Sequence, residues 1–169
     1  MAPDMPSDAV SRVRLDLHLG SILLRLGLLP ESRAHEVATA ALLQDFDSQS
    51  LRRLAGSIEP TGTLLDELEE ALASAWGRLG VASEDPSQLL RALGVTVAKR
   101  ILQQTILPID GAEILFRAAI RHHDHSPEFH PFDYAYSEWS DRPEDHQLFE
   151  TMIISGAKVL LESWDTGTQ

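Results

Sequence analysis

The sequence predicts an all-α fold, about seven helices in a single domain over residues 1–169, and three observations carry that expectation. Apolar residues recur at steps of three and four through most of the chain, which is the spacing of one helix face. Helix-start and helix-stop chemistry punctuates these runs, as in Asp85-Pro86 with Gln88 at one start, and Gly27 with Pro30 beyond it at one stop. Strict strand-like alternation is confined to Val13, Leu15, Leu17 and Leu19, where helical spacing through Leu15, Leu19, Ile22 and Leu26 competes with it and extends further. The 169 residues are 43% apolar and 24% charged, a globular balance with enough chain for a substantial core.

The first helix is expected from Val10 to Leu28, with Gly27 as its stop. A second, from Glu31 to Gln44, puts Ala34, Val37, Ala38, Ala41 and Leu42 on one face. Asp47 and Ser48 offer cap oxygens to a short helix that carries Leu51 and Leu54 and ends at Gly56. Glu59-Pro60-Thr61-Gly62 reads as a turn. Thr63 with Asp66 makes a capping-box pattern for a helix reaching Leu79, with Gly80 as its stop. From Asp85 a long helix runs to about Gln104 and buries Leu89, Leu93, Val97 and Ile101. Asp110-Gly111-Ala112-Glu113 is expected to cap a helix carrying Ile114, Leu115, Ala118 and Ala119. Pro143 and Glu144 start the last one, with Leu148, Met152, Ile153, Ala157, Leu160 and Leu161. One long ordered loop is expected before that last helix, and residues 1–8 and 165–169 are expected to be flexible ends.

Charge limits the partners. Net charge is −12, and a negative field repels phosphate backbones, so nucleic acid is not an expected partner. From Asp124 to Glu150 eight acids face one base, Arg142, for a net of −7; from Glu59 to Asp85 the net is −6. Such runs serve as solvated faces, or as surfaces that steer a basic protein partner. There are no cysteines, which excludes disulfides, thiolate metal sites and a cysteine nucleophile. The N-terminal MAPDMPSDAVS has neither the basic nor the apolar region of a secretory signal. The longest apolar stretch, Ile22 to Leu29, is broken by Arg25 and Gly27 and falls short of the roughly 20 residues of a membrane span. A cytoplasmic protein without membrane contact is the expectation.

Residues 122–146, HHDHSPEFHPFDYAYSEWSDRPEDH, hold five of the seven histidines and five of the ten aromatic residues. Imidazole suits zinc, copper, nickel or iron, so His123, Asp124, His125 and His130 form a candidate divalent-metal set for a hydrolase. Against it, the spacing fits no zinc signature, and His122 and His123 at a helix end have a sufficient role beside the helix dipole. The pair His123-Asp124, with His35 upstream, resembles the dyad of HD-type metal phosphohydrolases, but here it precedes Ser126-Pro127 at a helix terminus instead of lying within an apolar helix. Nucleophile elbows, P-loops and dinucleotide-binding glycine patterns are missing from the sequence. Phe129, Phe132 and Trp139 are expected to fold back into the bundle, whereas Tyr134 and Tyr136 are open to a partner.

Five further stretches carry a resemblance: Asp47-Ser48 through Leu51-Arg52-Arg53-Leu54-Ala55-Gly56, Ala98 to Ile101, Ile109 to Ala112, His130-Pro131-Phe132, and Ser137-Glu138-Trp139 with Asp141-Arg142-Pro143-Glu144. Together they resemble a group of small bacterial all-helical proteins of unknown function. The resemblance implies an all-α domain with an ordered 122–146 segment, and implies no activity. The functional expectation is therefore a non-enzymatic interaction module, in its most concrete form an immunity-type protein that binds a basic partner, without a cofactor. Tyr134, Tyr136, Glu138, Asp141 and Glu144 are the expected contacts, the acids steering and the aromatics anchoring. The competing expectation is the metal-dependent hydrolase built on the histidine cluster.

Overall fold

Five helical runs end in the same way, with one residue in the left-handed region and the next amide turned back onto the helix. The left-handed residues are Gly27, Asp45, Gly80, Gln104 and His123, with φ between 52° and 71°. The following amides reach back to Leu23 O (2.8 Å), Ala41 O (3.1 Å), Trp76 O (3.0 Å), Arg100 O (3.0 Å) and Ala119 O (2.9 Å). This Schellman geometry satisfies carbonyls that a helix end would otherwise leave open. Gly27 and Gly80 were legible as stops. The other three use residues with a Cβ.

The computed structural model describes residues 9–56 and 63–165. Among them are nine α-helices: α1 Ala9–Arg12, α2 Leu17–Arg25, α3 Ala34–Leu43, α4 Gln49–Ala55, α5 Leu64–Leu72, α6 Pro86–Leu102, α7 Pro108–Arg121, α8 His130–Trp139 and α9 His146–Trp164. Short 3-10 turns precede α3, α8 and α9 and follow α5, and no strand occurs among the described residues. None of the described helices is long and apolar enough to cross a membrane. The expected turn at 59–62 and the expected flexible ends, apart from Asp165, lie outside the described residues.

Two expectations are corrected on the helix count. The run from Val10 to Leu28 is not one helix, because α1 stops at Arg12 and Asp16 starts α2 as an N-cap, its backbone extended and its carboxylate accepting the Leu19 amide at 2.8 Å. The strand-like alternation at Val13, Leu15, Leu17 and Leu19 thus spans a real break, and all four side chains are buried. Nor is 122–146 one long loop: α8 lies inside it. Its start is favoured by Pro131 in the first turn, where a missing N–H costs nothing, and Phe129, Phe132 and Ala135 are all buried. At Thr63 no side-chain cap bond to the helix forms, and α5 gives way after Leu72 to a 3-10 turn well before Leu79.

The described residues group into two compact units. One is formed by residues 14–56 and 63–89, with α3 packed on α2, α4 and α5. Its core holds Leu17, Leu19, Ile22, Leu23, Val37, Leu51, Leu54, Leu68 and Leu72, all buried. Gly20 permits the close approach of α2 to α3: a Cβ there would lie 2.5 Å from Val37 Cγ2. Arg25 spans toward the end of this unit, donating to Val81 O at 2.7 Å and lying 5.1 Å from the Trp76 ring centre.

The other unit is formed by residues 9–13 and 90–165, with α8 packed against α7 and α9 and α1 against α7. Phe129, Phe132 and Phe149 are its largest fully buried side chains. Small residues set its spacings. A Cβ at Gly94 would meet Trp164 at 2.5 Å, and one at Gly156 would meet Pro131 at 3.0 Å.

Candidate functional site

The histidines of residues 122–146 are spread over a helix end, a turn and the next helix start. His122 is the C-cap of α7 and His123 the left-handed residue after it. Asp124 turns its carboxylate onto the Ser126 amide at 2.8 Å, which fixes the turn into the 3-10 segment Pro127–Phe129. His123, His125 and His130 are exposed. Among the described residues no group of three or more His, Asp or Glu side chains converges closely enough to hold a metal ion, so the set His123, Asp124, His125, His130 has no geometric support. His35 lies on α3 and lines a surface hollow of about 510 Å³ together with Arg14, Glu36 and Leu43. One more carboxylate belongs to this region. Burial pushes the Asp133 carboxyl above its ordinary value, His130 and His125 oppose that shift, and Asp133 Oδ1 is buried without a hydrogen-bond partner.

Tyr134 and Tyr136 do not share a face. Residues two positions apart on a helix lie about 200° apart around its axis, and the structure uses both sides. Tyr136 faces α7: its ring lies 4.9 Å from Phe116, and its hydroxyl stands beside Glu113 and Arg117, so burial and the Glu113 charge raise its pKa. Half-buried, it joins the polar network of α7 on the side of α8 away from Tyr134. Tyr134 faces α9, edge-on to Phe149 at 6.2 Å, and remains 48% exposed.

Around Tyr134 the α8–α9 corner is tied together by Arg142. Its Nη1 donates to Tyr134 Oη at 3.3 Å, its backbone amide donates to Glu138 O at 3.0 Å, and its guanidinium lies 5.6 Å from the Phe149 ring centre. Arg142 is also ion-paired with Asp145. Trp139 stacks on His146 at 3.7 Å with 8° between the rings, and His146 Nε2 bonds to Trp139 O at 2.7 Å. Since the carbonyl accepts, that nitrogen carries the proton. With the corner so braced, Asp141 and Glu144 are exposed, Glu138 is half-buried, and Arg142, the one Lys or Arg of residues 124–150, is paired with Asp145. Four of the five expected contacts, Tyr134, Glu138, Asp141 and Glu144, are therefore near one corner, with Tyr136 apart.

A second polar cluster was not legible as such. Asp110 and Glu113 were expected to cap α7, but α7 begins two residues earlier, at Pro108, and both acids lie inside it and are buried. Arg12 Nη2 donates to Asp110 Oδ1 at 2.7 Å and to Glu113 Oε2 at 3.0 Å, while Arg117 Nε donates to Glu113 Oε1 at 2.9 Å. The carboxylate side chains are 9% and 4% exposed, so the guanidinium of α1 compensates charges that water does not reach. The i, i+3 and i, i+4 spacing of Asp110, Glu113 and Arg117 was the available signal. A partner 98 residues away was not.

Comparison with protein-family models, with curated proteins and with solved structures gives no match.

Proposed function

We propose that this chain is a non-enzymatic interaction protein that binds a basic protein partner through the acidic α8–α9 corner. The observation that carries the reading is the exposure of Asp141 and Glu144 beside half-exposed Tyr134, on a corner that Arg142 and the Trp139–His146 stack hold rigid. Acids at a rim steer encounter, and a preorganised aromatic loses little conformational freedom when it is covered. A net of −7 over residues 124–150 extends the same field. The most concrete form of the reading is an immunity-type protein that neutralises a basic toxin domain, and small size, acidity and the absence of a nucleophile motif agree with it.

The test begins with immobilised protein washed at low salt, which should retain a basic protein that is released at high salt. Against that partner, the combined variant Glu138→Lys, Asp141→Lys, Glu144→Lys is expected to slow association about tenfold or more at low salt. An on-rate that does not change removes the acidic corner from recognition.

A further inference from the structure

The corner continues into an apolar strip along the outside of α9. Leu148, Met152, Ser155 and Val159 follow steps of four, three and four, the spacing of a coiled-coil seam. Leu148 is 55% and Val159 56% exposed, Met152 is half-buried, and Ser155 between them is small and exposed. The strip runs beside α8. Gly156 lies one helical turn from Met152 and packs against Pro131, and Tyr134 lies against Phe149, so the edge of α8 carrying Pro131, Tyr134 and Glu138 forms the other wall. From Leu148 to Val159 the strip is about 17 Å long, or three turns of a partner helix.

Charge chooses the occupant. Glu138, Asp141 and Glu144 border one end of the strip, and Lys158 is the one Lys or Arg in α9. A second copy of the chain would set these acids against an equally acidic molecule of net charge −12. A helix with leucine-type residues on one face and lysine or arginine on its flanks would cover the apolar strip and meet the acids. We infer that the α8–α9 groove receives a basic amphipathic helix of the partner, with Leu148, Met152 and Val159 as its apolar floor. This inference rests on the reading of the acidic corner as the partner-binding face, and specifies what the partner presents there.

The probes are two peptides of about three heptads each, with leucine at the seam and lysine on the flanks of one, glutamate on the flanks of the other. Anisotropy with the full chain should show the lysine peptide binding at least about tenfold more tightly than the glutamate peptide. Leu148→Ser with Val159→Ser, both at exposed positions that leave the core untouched, should weaken the lysine peptide about tenfold while thermal unfolding stays unchanged. Equal binding of both peptides overturns the inference, as does undiminished binding by the double-serine variant. Light scattering that finds a dimer dissolved by the same two substitutions also overturns it, because the occupant is then a second copy. If charge reversal at the corner slows a captured partner while the double-serine variant binds that partner normally, the groove is not used, and the acidic corner still stands as the binding face.

Discussion

His123 has a φ of 52° at the end of α7, a conformation in which a side chain with a Cβ is strained by about 1 kcal/mol. Glycine relieves that strain, though it adds freedom to the unfolded chain. His123→Gly should therefore raise the unfolding free energy by no more than about 0.5 kcal/mol, measured by urea denaturation, and a loss would show that the imidazole is itself held by the fold. The reverse change at Gly80, where φ is 70° and an added Cβ meets nothing within 4 Å, should cost about 1 kcal/mol by conformation alone. Asp133 gives a pH-dependent case. Its pKa is raised in the folded state, so the folded chain holds that proton more tightly than the unfolded chain does. The associated stability is present below the ordinary carboxylate pKa of about 3.9 and is lost as pH rises through the folded value. Asp133→Asn keeps the uncharged form at every pH. It should be more stable than the parent at pH 7, with the difference vanishing near pH 3, and a gain independent of pH would rule out this cause.

At the scale of the elements, α1 and α7 are joined by charge. Removing the Arg12 guanidinium takes from buried Asp110 and Glu113 the cation they share, while Arg117 still pairs with Glu113, so Arg12→Met should cost about 2–3 kcal/mol, since Arg12 itself is 43% exposed. Adding Asp110→Leu and Glu113→Leu to that variant should recover most of the loss, and a triple variant weaker than the single one would show that the network contributes more than mutual compensation. Between α2 and α3 the constraint is steric. Gly20→Ala sets a methyl 2.5 Å from Val37 Cγ2, on a side chain whose rotamer is stiff in a helix, and should lower stability by about 1–3 kcal/mol. Val37→Ala in the same chain should return part of it. Two helices differ from what their sequences predict, for identifiable reasons. The α1–α2 break falls within a continuous apolar pattern, and Asp16 marks it, with its extended backbone and its carboxylate capping the Leu19 amide. The helix α8 was hidden by its aromatics and by His130 and Pro131, which are poor helix formers, although Phe129, Phe132, Ala135 and Trp139 already followed helical steps.

At the scale of the molecule, net charge acts on encounter more than on the fold. Association of the basic partner with the acidic corner should slow steeply as salt rises, by about an order of magnitude between low and physiological ionic strength. Dissociation should change little, because the apolar part of the contact is not screened. A salt-independent on-rate would mean that the negative field serves solubility alone. The acids of this field could be counted in the sequence, and so could the aromatics among them. Which of them gather at one corner depended on the register of α8, which turns Tyr134 outward toward α9 and Tyr136 inward to Phe116 and Glu113.

The sequence by itself determined that the chain is helical, where Gly27 and Gly80 end helices, where Asp85 and Pro86 begin one, and how acidic the surface is. These are properties of neighbours within a few residues, or of a sum that needs no geometry. Tertiary structure decided the rest: that α8 forms, that Leu148 and Val159 stay exposed, and that Arg12 meets Asp110 and Glu113. Each depends on residues far apart in the chain whose burial stabilises one local conformation over another, and spacing along the sequence holds no record of such contacts.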